Sequence, residues 1–189
     1  LDNSRIVWFD QTVSWIEKSY IMDIINEAVL TSLRENTKKL LDTYKDFGLN
    51  KSPKNISEDI SGLLETAIER NIEGAVAPKV DHEPDIRYNG EAVEIKTSAG
   101  TSWRGGTFSK RPGYYIFVTY TLDEDNVPSF YIAGIPLEEK DWKSSTSENY
   151  YATTYGKKEL YLNEDKVKTY AGSLVGKEGK RLTIKVNYC

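Results

Sequence analysis

The chain has 189 residues, of which 39% are hydrophobic and 29% are charged, and its net charge is −4. This length favours one domain with a sizeable core, and the composition is that of an ordinary globular protein. Because no apolar run approaches roughly 18 residues, we expect no membrane span. The single histidine, His82, excludes a histidine-rich metal centre, and the single cysteine, Cys189, favours a reducing and therefore cytoplasmic location.

The first 50 residues are predicted to be helical. Asp10 can cap one helix, whose apolar residues recur every three to four positions over residues 16–29. A second helix is expected to follow over residues 33–47 and to stop at Gly48, with a break near Asn36-Thr37.

A further helix is predicted to start at Ser57 and to end at Gly74, after a loop over residues 51–54. Its apolar stripe consists of Ile60, Leu63, Leu64, Ala67, Ile68 and Ile72. Glu65 lies at the border of this stripe, whereas Glu69 lies further into the polar face. Both are also consistent with ordinary surface glutamates, Glu69 more than Glu65.

Residues 84–96 predict a β-hairpin that turns at Asn89-Gly90, the residue pair that a type I′ turn favours. A two-residue loop fixes the pairing as Tyr88–Glu91, Arg87–Ala92, Ile86–Val93 and Asp85–Glu94. Side chains alternate between the two faces of a strand. One face is therefore an apolar face made of Ile86, Tyr88, Val93 and Ile95. The other face carries Asp85, Glu94 and Lys96.

Two carboxylates that face each other across a hairpin destabilise it unless something compensates their charge. A hard divalent cation such as Mg²⁺ would do so, because it takes carboxylate oxygens as ligands. Lys96, two positions beyond Glu94, could orient an attacking water or stabilise charge that develops on a phosphate. This set predicts metal-assisted phosphodiester hydrolysis. The alternative is a hairpin with a solvated polar face and a surface Glu–Lys pair.

Pro84-Asp85 followed by Glu94-Ile95-Lys96 resembles the signature of the PD-(D/E)XK nucleases. In that signature an acid opens one strand, and an acid-x-Lys triplet lies on the next strand. The small stand-alone members of this superfamily are mostly type II restriction endonucleases. The resemblance implies an α/β (α+β) restriction-endonuclease-like fold, which is a central mixed β-sheet flanked by helices.

The resemblance also implies roles for individual residues. Asp85 and Glu94 would bind Mg²⁺, with the Ile95 carbonyl as a third ligand. Lys96 would position the attacking water. Glu65 would be the extra acid that this family often keeps on the helix before the hairpin, where it could support a second metal.

The activity implied is that of a Mg²⁺-dependent, sequence-specific endonuclease of double-stranded DNA that leaves 5′-phosphate ends. Members of this size usually act as homodimers on palindromes, since two-fold protein symmetry mirrors two-fold DNA symmetry. Two alternatives stay open. One is a repair or recombination nuclease of the same fold that reads DNA structure, and the other is a non-catalytic DNA-binding module with a structural cation site.

The segment after the hairpin is predicted to be a long loop that contacts DNA. Residues 96–120 carry four Lys or Arg and no Asp or Glu, which suits phosphate binding. Arg104 and Arg111 suit guanine edges, and Lys110 suits a phosphate. The DNA-binding candidates are Ser98, Thr101, Ser102, Trp103, Arg104, Ser109, Lys110 and Arg111. An ordinary long loop is the alternative.

The remaining segments predict a mostly β structure. Residues 114–121 read as a strand buried on both faces, and residues 129–135 as a second strand. A short helix is predicted over residues 136–142, and closing strands over residues 159–162 and 181–186.

A second loop that could touch DNA is predicted over residues 144–157, near Tyr150, Tyr151, Tyr155, Lys157 and Lys158. We thus expect a single nuclease domain over residues 1–189. It would comprise a helical region (1–50), a catalytic core (55–135) and a β-rich part (136–189).

Overall fold

The computed structural model describes residues 23–100, 102–105, 112–147, 150–177 and 179–189. Within these residues the chain forms three α-helices, a six-stranded mixed sheet and two smaller sheets. This arrangement confirms the general mixed α and β class with a mixed central sheet. No helix in the described part combines the length and the apolar character that crossing a lipid bilayer requires.

The helices are α1 (Glu27–Asp46), α2 (Pro53–Asn71) and α3 (Lys157–Leu162). The strands are β1 (Ala75–Val76), β2 (Ile86–Tyr88), β3 (Glu91–Thr97), β4 (Ser102–Arg104), β5 (Gly113–Leu122), β6 (Pro128–Leu137), β7 (Lys143–Ser147), β8 (Tyr150–Gly156), β9 (Lys168–Ala171), β10 (Ser173–Lys177) and β11 (Thr183–Asn187). The six-stranded sheet has the order β1-β2-β3-β5-β6-β9, and the smaller sheets are β4-β8-β7 and β10-β11. In the large sheet only the β3–β5 pair is parallel.

Helix α1 corresponds to the predicted second helix but begins earlier than residue 33, at Glu27. The Asn26 side chain accepts the Val29 N–H at 2.9 Å and caps the helix. Ile24 and Ile25 were predicted to belong to the apolar stripe of the first helix. In the structure they precede α1 and are not helical, and they are apolar because they are buried in the core. Asp10 and the rest of the predicted first helix up to residue 22 lie outside the described residues.

The predicted break near Asn36-Thr37 is wrong, because α1 continues through both residues to Asp46. Thr37 is buried against the core, and this packing outweighs the modest helix propensity of both residues. The predicted stop is confirmed, since Gly48 follows the helix with φ +68°.

Helix α2 begins at Pro53 rather than Ser57, so the predicted loop over residues 51–54 is confirmed at Lys51 and Ser52 and wrong at Pro53 and Lys54. The Ser52 hydroxyl accepts the Asn55 N–H at 3.3 Å. Pro53 then occupies the first helical position, where its missing N–H has no cost. Ser57 lies buried within the helix, and the predicted stripe packs into the core through Ile60, Leu64, Ala67 and Ile68.

The predicted hairpin is confirmed in turn type and in three of its four predicted pairs; the fourth, Asp85–Glu94, lies beyond β2, which begins at Ile86. The strands pair as Ile86–Val93, Arg87–Ala92 and Tyr88–Glu91. Asn89 and Gly90 have φ of +49° and +77°, as a type I′ turn requires.

The two faces of the six-stranded sheet carry two separate clusters of buried side chains. The first face packs against α1 and α2 and is mainly aliphatic, with members that include Leu33, Leu64, Ile68, Val93, Ile95, Ile116 and Ile132. The second face packs against the β4-β8-β7 sheet and is mainly aromatic, with members that include Trp103, Tyr115, Phe117, Tyr131, Trp142 and Tyr155. Strand β5 is buried on both faces, as predicted.

Several predictions for the C-terminal part are wrong. The expected helix over residues 136–142 is replaced by the end of β6 and one 3₁₀ turn, Glu139–Asp141. The expected loop over residues 144–157 is mostly the β7–β8 hairpin. Residues 159–162 belong to helix α3 and not to a strand. The strand prediction failed because a run this short has too few positions to reveal a helical or a strand period. The strand predicted over residues 181–186 corresponds to β11.

Candidate active site

One face of α2 runs along the sheet and carries three polar residues at four-residue spacing, Ser61, Glu65 and Glu69, of which the first and last make hydrogen bonds. The Ser61 and Thr97 hydroxyls share a hydrogen bond of 2.7 Å. The Ala77 N–H donates to Glu69 Oε2 at 2.6 Å, which gives Glu69 a structural role. Glu65 lies between these two contacts, so α2 holds it beside the open end of the hairpin.

Asp85 immediately precedes β2, and its side chain hydrogen-bonds to the backbone of the neighbouring strand β3. Its Oδ2 accepts the Ile95 N–H at 2.7 Å. Continuing the hairpin register by two positions places Pro84 opposite Ile95, and proline has no N–H to give to the Ile95 carbonyl. The N–H and C=O of one strand residue point towards the same neighbour. The Ile95 carbonyl therefore points towards the side on which Asp85 lies.

The Glu65 carboxyl is half-buried and lies close enough to Asp85 to interact with its charge. Burial, followed by the negative charge of Asp85, raises the pKa of the half-buried Glu65 carboxyl to about 7. Lys79 acts in the opposite direction. Lys79 lies in the loop before β2 with φ +54°, and no pattern in the sequence pointed to it.

Glu94 and Lys96 lie on β3, where alternation directs them away from the buried Val93 and Ile95. Both are half-buried. Their register partners on β5 are Tyr115 and Phe117, which belong to the aromatic cluster. Glu94 and Lys96 thus lie on the second face of the sheet, as the predicted polar face of the hairpin requires.

The predicted cation site stays a prediction. Within the described residues no three His, Cys, Asp or Glu side chains form a metal-binding cluster. The predicted site needs only the Asp85 and Glu94 carboxylates and the Ile95 carbonyl. Asp85 Oδ2 accepts the Ile95 N–H, and the negative charge of Asp85 acts on Glu65. A bound cation would reduce this repulsion between the two carboxylates.

The predicted DNA-binding segment is only partly described. Ser98 Oγ accepts the Gly100 N–H at 3.0 Å, whereas Ser102 and Arg104 are exposed on β4. Four of the candidates lie outside the described residues, namely Thr101, Ser109, Lys110 and Arg111.

Trp103 is a core residue rather than a surface contact, which corrects its assignment to DNA. It is 1% exposed, and its indole N–H donates to the Val118 carbonyl at 2.8 Å. Its ring lies 4.8 Å from that of Phe117. Tyr155 is likewise buried and stacks on Phe117 at 5.2 Å, so it is not available to DNA either.

No family model matches this chain, and no curated protein sequence matches it significantly.

Proposed function

We propose that this protein is a Mg²⁺-dependent endonuclease that cuts double-stranded DNA at specific sequences, as a type II restriction enzyme does. The observation that carries the proposal is the meeting of two carboxylates, Asp85 and Glu65, with the backbone of Ile95 at the open end of the hairpin. The same strand presents Glu94 and Lys96 on its other face. The mixed sheet with helices α1 and α2 on one face supports a restriction-endonuclease-like fold, although a small sheet rather than helices covers its other face.

Each residue has a distinct role in the proposed reaction. Asp85, Glu94 and the Ile95 carbonyl would hold Mg²⁺. When bound, Mg²⁺ supplies positive charge that stabilises the negative charge on the phosphate oxygens. Lys96 donates hydrogen bonds that orient the attacking water. Glu65 stands beside Asp85, where it could support a second metal.

The bond changes in this reaction are those of ordinary hydrolysis. The water oxygen bonds to phosphorus, and the bond from phosphorus to the 3′ oxygen breaks. The products are a 5′-phosphate and a 3′-hydroxyl, which takes up a proton. Substrate selection would come from the exposed face of β4, where Arg104 can reach guanine edges. Two copies of the chain on a palindrome would cut both strands.

The proposal is tested by digesting a plasmid in Mg²⁺, in Ca²⁺ or in EDTA, followed by sequencing of the ends. We expect discrete fragments with 5′-phosphates in Mg²⁺ and none in EDTA. Ca²⁺ should support binding without cutting, because its looser coordination at longer distances misplaces the water. The Asp81→Ala variant is a matched control, since it removes an exposed acid near Asp85.

Other outcomes would overturn the proposal. Cutting only at branched or nicked DNA would favour the repair or recombination nuclease. DNA binding that is equal in all three solutions, with no cutting, would favour the non-catalytic module.

A further inference from the structure

Two segments that the sequence suggests as separate loops form one sheet. Strand β4 comes from the segment after the hairpin, and β7 and β8 come from the segment around residue 150. In this sheet Arg104 pairs with Thr154, which in turn pairs with Lys143. Trp103 and Tyr155 point into the aromatic cluster, so alternation places Arg104 and Thr154 on the outer face.

A cleft of about 380 Å³ opens beside this outer face. The polar side chains that line it are Ser102, Lys143, Thr154, Lys157, Lys158 and Glu159. Lys143 and Glu159 form an ion pair. Among the described residues that line the cleft, this pair leaves Lys157 and Lys158 without a compensating carboxylate, so the cleft attracts anions.

The cleft lies within reach of the candidate active site. Ser102 follows Lys96 by six positions, a chain length that spans at most about 20–22 Å. One turn of duplex DNA is about 34–36 Å long. Lys96 and Ser102 are therefore less than one turn of duplex apart, so a single duplex is long enough to contact both. Both sites are also on the second side of the large sheet.

We propose that this cleft binds the phosphate backbone of duplex DNA through Lys157 and Lys158, less than one helical turn from the cut phosphate. The proposal rests on the proposed nuclease function and adds an anchoring surface to it. Such contacts carry no sequence information, and they fix the register of the protein on the duplex.

The test measures duplex binding by fluorescence anisotropy in Ca²⁺ over about 0.05–0.2 M salt. The variant combines Lys157→Ala with Lys158→Ala. If both lysines neutralise a phosphate, affinity should fall on the order of 60-fold at about 0.1 M salt, and the log–log salt slope should shrink by about 1.8. The matched control combines Lys39→Ala with Lys45→Ala, two exposed lysines on α1 across the large sheet.

A second variant should act in the opposite direction. Glu159→Gln removes the carboxylate that pairs with Lys143 and should tighten binding to the same duplex. It keeps the test decisive if the double lysine variant unfolds, which circular dichroism would reveal. If a folded lysine variant, or the Glu159 variant, binds the duplex with the affinity of the wild type, the proposed DNA-binding role of the cleft is wrong.

Separate arms distinguish the cleft from the nuclease proposal. Wild-type cutting together with unchanged binding by the lysine variant rejects the cleft alone. Lysine-dependent binding without any cutting rejects the nuclease alone. Vesicles of phosphatidylserine and phosphatidylcholine form the last arm, because lysine-dependent binding to them and not to DNA would overturn the assignment of the cleft to nucleic acid.

Discussion

The two faces of the six-stranded sheet are covered by different elements and packed with different side chains. Helices α1 and α2 cover the first face with aliphatic contacts, which are non-directional. The β4-β8-β7 sheet covers the second face with aromatic contacts, which have preferred geometries. Phe117 shows this most fully, since its ring contacts Trp103, Tyr115, Trp142 and Tyr155.

This difference explains how the candidate site is assembled at the border of the two faces. The helical face contributes Glu65 from α2, whereas the aromatic face carries Glu94 and Lys96. Asp85 joins them through its hydrogen bond to Ile95. On the helical face, aliphatic side chains of α1 and α2 are buried against the sheet. On the aromatic face, the packing of Trp103 holds β4, the strand that carries Arg104.

Removing charge at this border should have the largest effect. We expect Asp85→Ala, Glu94→Ala and Lys96→Ala each to reduce Mg²⁺-dependent cutting by about 10³-fold or more, because each deletes several kcal/mol of transition-state stabilisation. Initial rates on a plasmid would measure this. Wild-type-like cutting by either acid variant would exclude the assigned site.

Asp85→Asn separates the chemistry from the fold. Its amide oxygen can still accept the Ile95 N–H, so the variant should fold normally and still fail to cut. Without the charge at position 85, the pKa of Glu65 should also fall towards its ordinary value, which NMR titration would detect. An unchanged Glu65 pKa would show that the two acids do not interact.

Truncation of Trp103 should be the next largest change. Trp103→Ala should cost about 3–5 kcal/mol of unfolding free energy, and Leu64→Ala on the other face about 2–5 kcal/mol. Trp103→Phe keeps a ring but removes one donor to the Val118 carbonyl, which still accepts the Ser98 N–H, so the loss should cost about 0.5–1.5 kcal/mol. Urea unfolding measures all three. A stable Trp103→Ala variant with weakened DNA binding would restore the original assignment of this residue to DNA.

Arg104→Ala should have a smaller effect that is confined to DNA recognition. Because Arg104 is exposed on β4, its loss should leave stability unchanged and cost about 1–3 kcal/mol of discrimination at one base pair. Cleavage of sites with single mismatches would measure the loss. Lys45→Ala, on the helical side, is the control that should alter neither quantity.

Glu65 should give the smallest effect, as a pH dependence of stability. Its pKa rises from 4.5 to about 7 on folding, so between these values the folded state binds more protons than the unfolded state. The contribution of Glu65 to stability is therefore present below pH 4.5 and is lost as pH rises towards 7. In EDTA, Glu65→Gln should flatten this part of the urea-midpoint profile, and an unaltered profile would contradict the raised pKa.

The features that the sequence predicted correctly are local ones. Asn89-Gly90 and strict alternation determine the register of Ile86, Arg87 and Tyr88 with Val93, Ala92 and Glu91 without tertiary information. The half-buried position of Glu65 on α2 also followed from a local signal, the border of an amphipathic helix. The shared role of Asp85, Glu94, Lys96 and Glu65 in one site stays a prediction.

The errors arise where distant contacts decide between local alternatives. Ser52-Pro53 and Ser57 are both valid helix starts, and Ser57 is buried in α2 near Tyr120 of β5, 63 positions away. Trp103 is the register partner of Tyr155 on the neighbouring strand β8, so its burial depends on a residue 52 positions away. The sequence indicated Lys157 and Lys158 as possible DNA contacts, but the cleft combines β4, β7, β8, α3 and β11, so no single stretch of sequence predicts its shape.

The pairing of β4 with β8 also sets an order of events during synthesis. Fifty positions separate Arg104 from its partner Thr154. At a translation rate of roughly 5–20 residues per second, β4 leaves the ribosome about 3–10 s before β8 follows. The hairpin and helices α1 and α2 can form in that interval, but Trp103 has no Tyr155 to pack beside. The emerging chain therefore acquires its acidic site before it acquires the surface that carries Arg104.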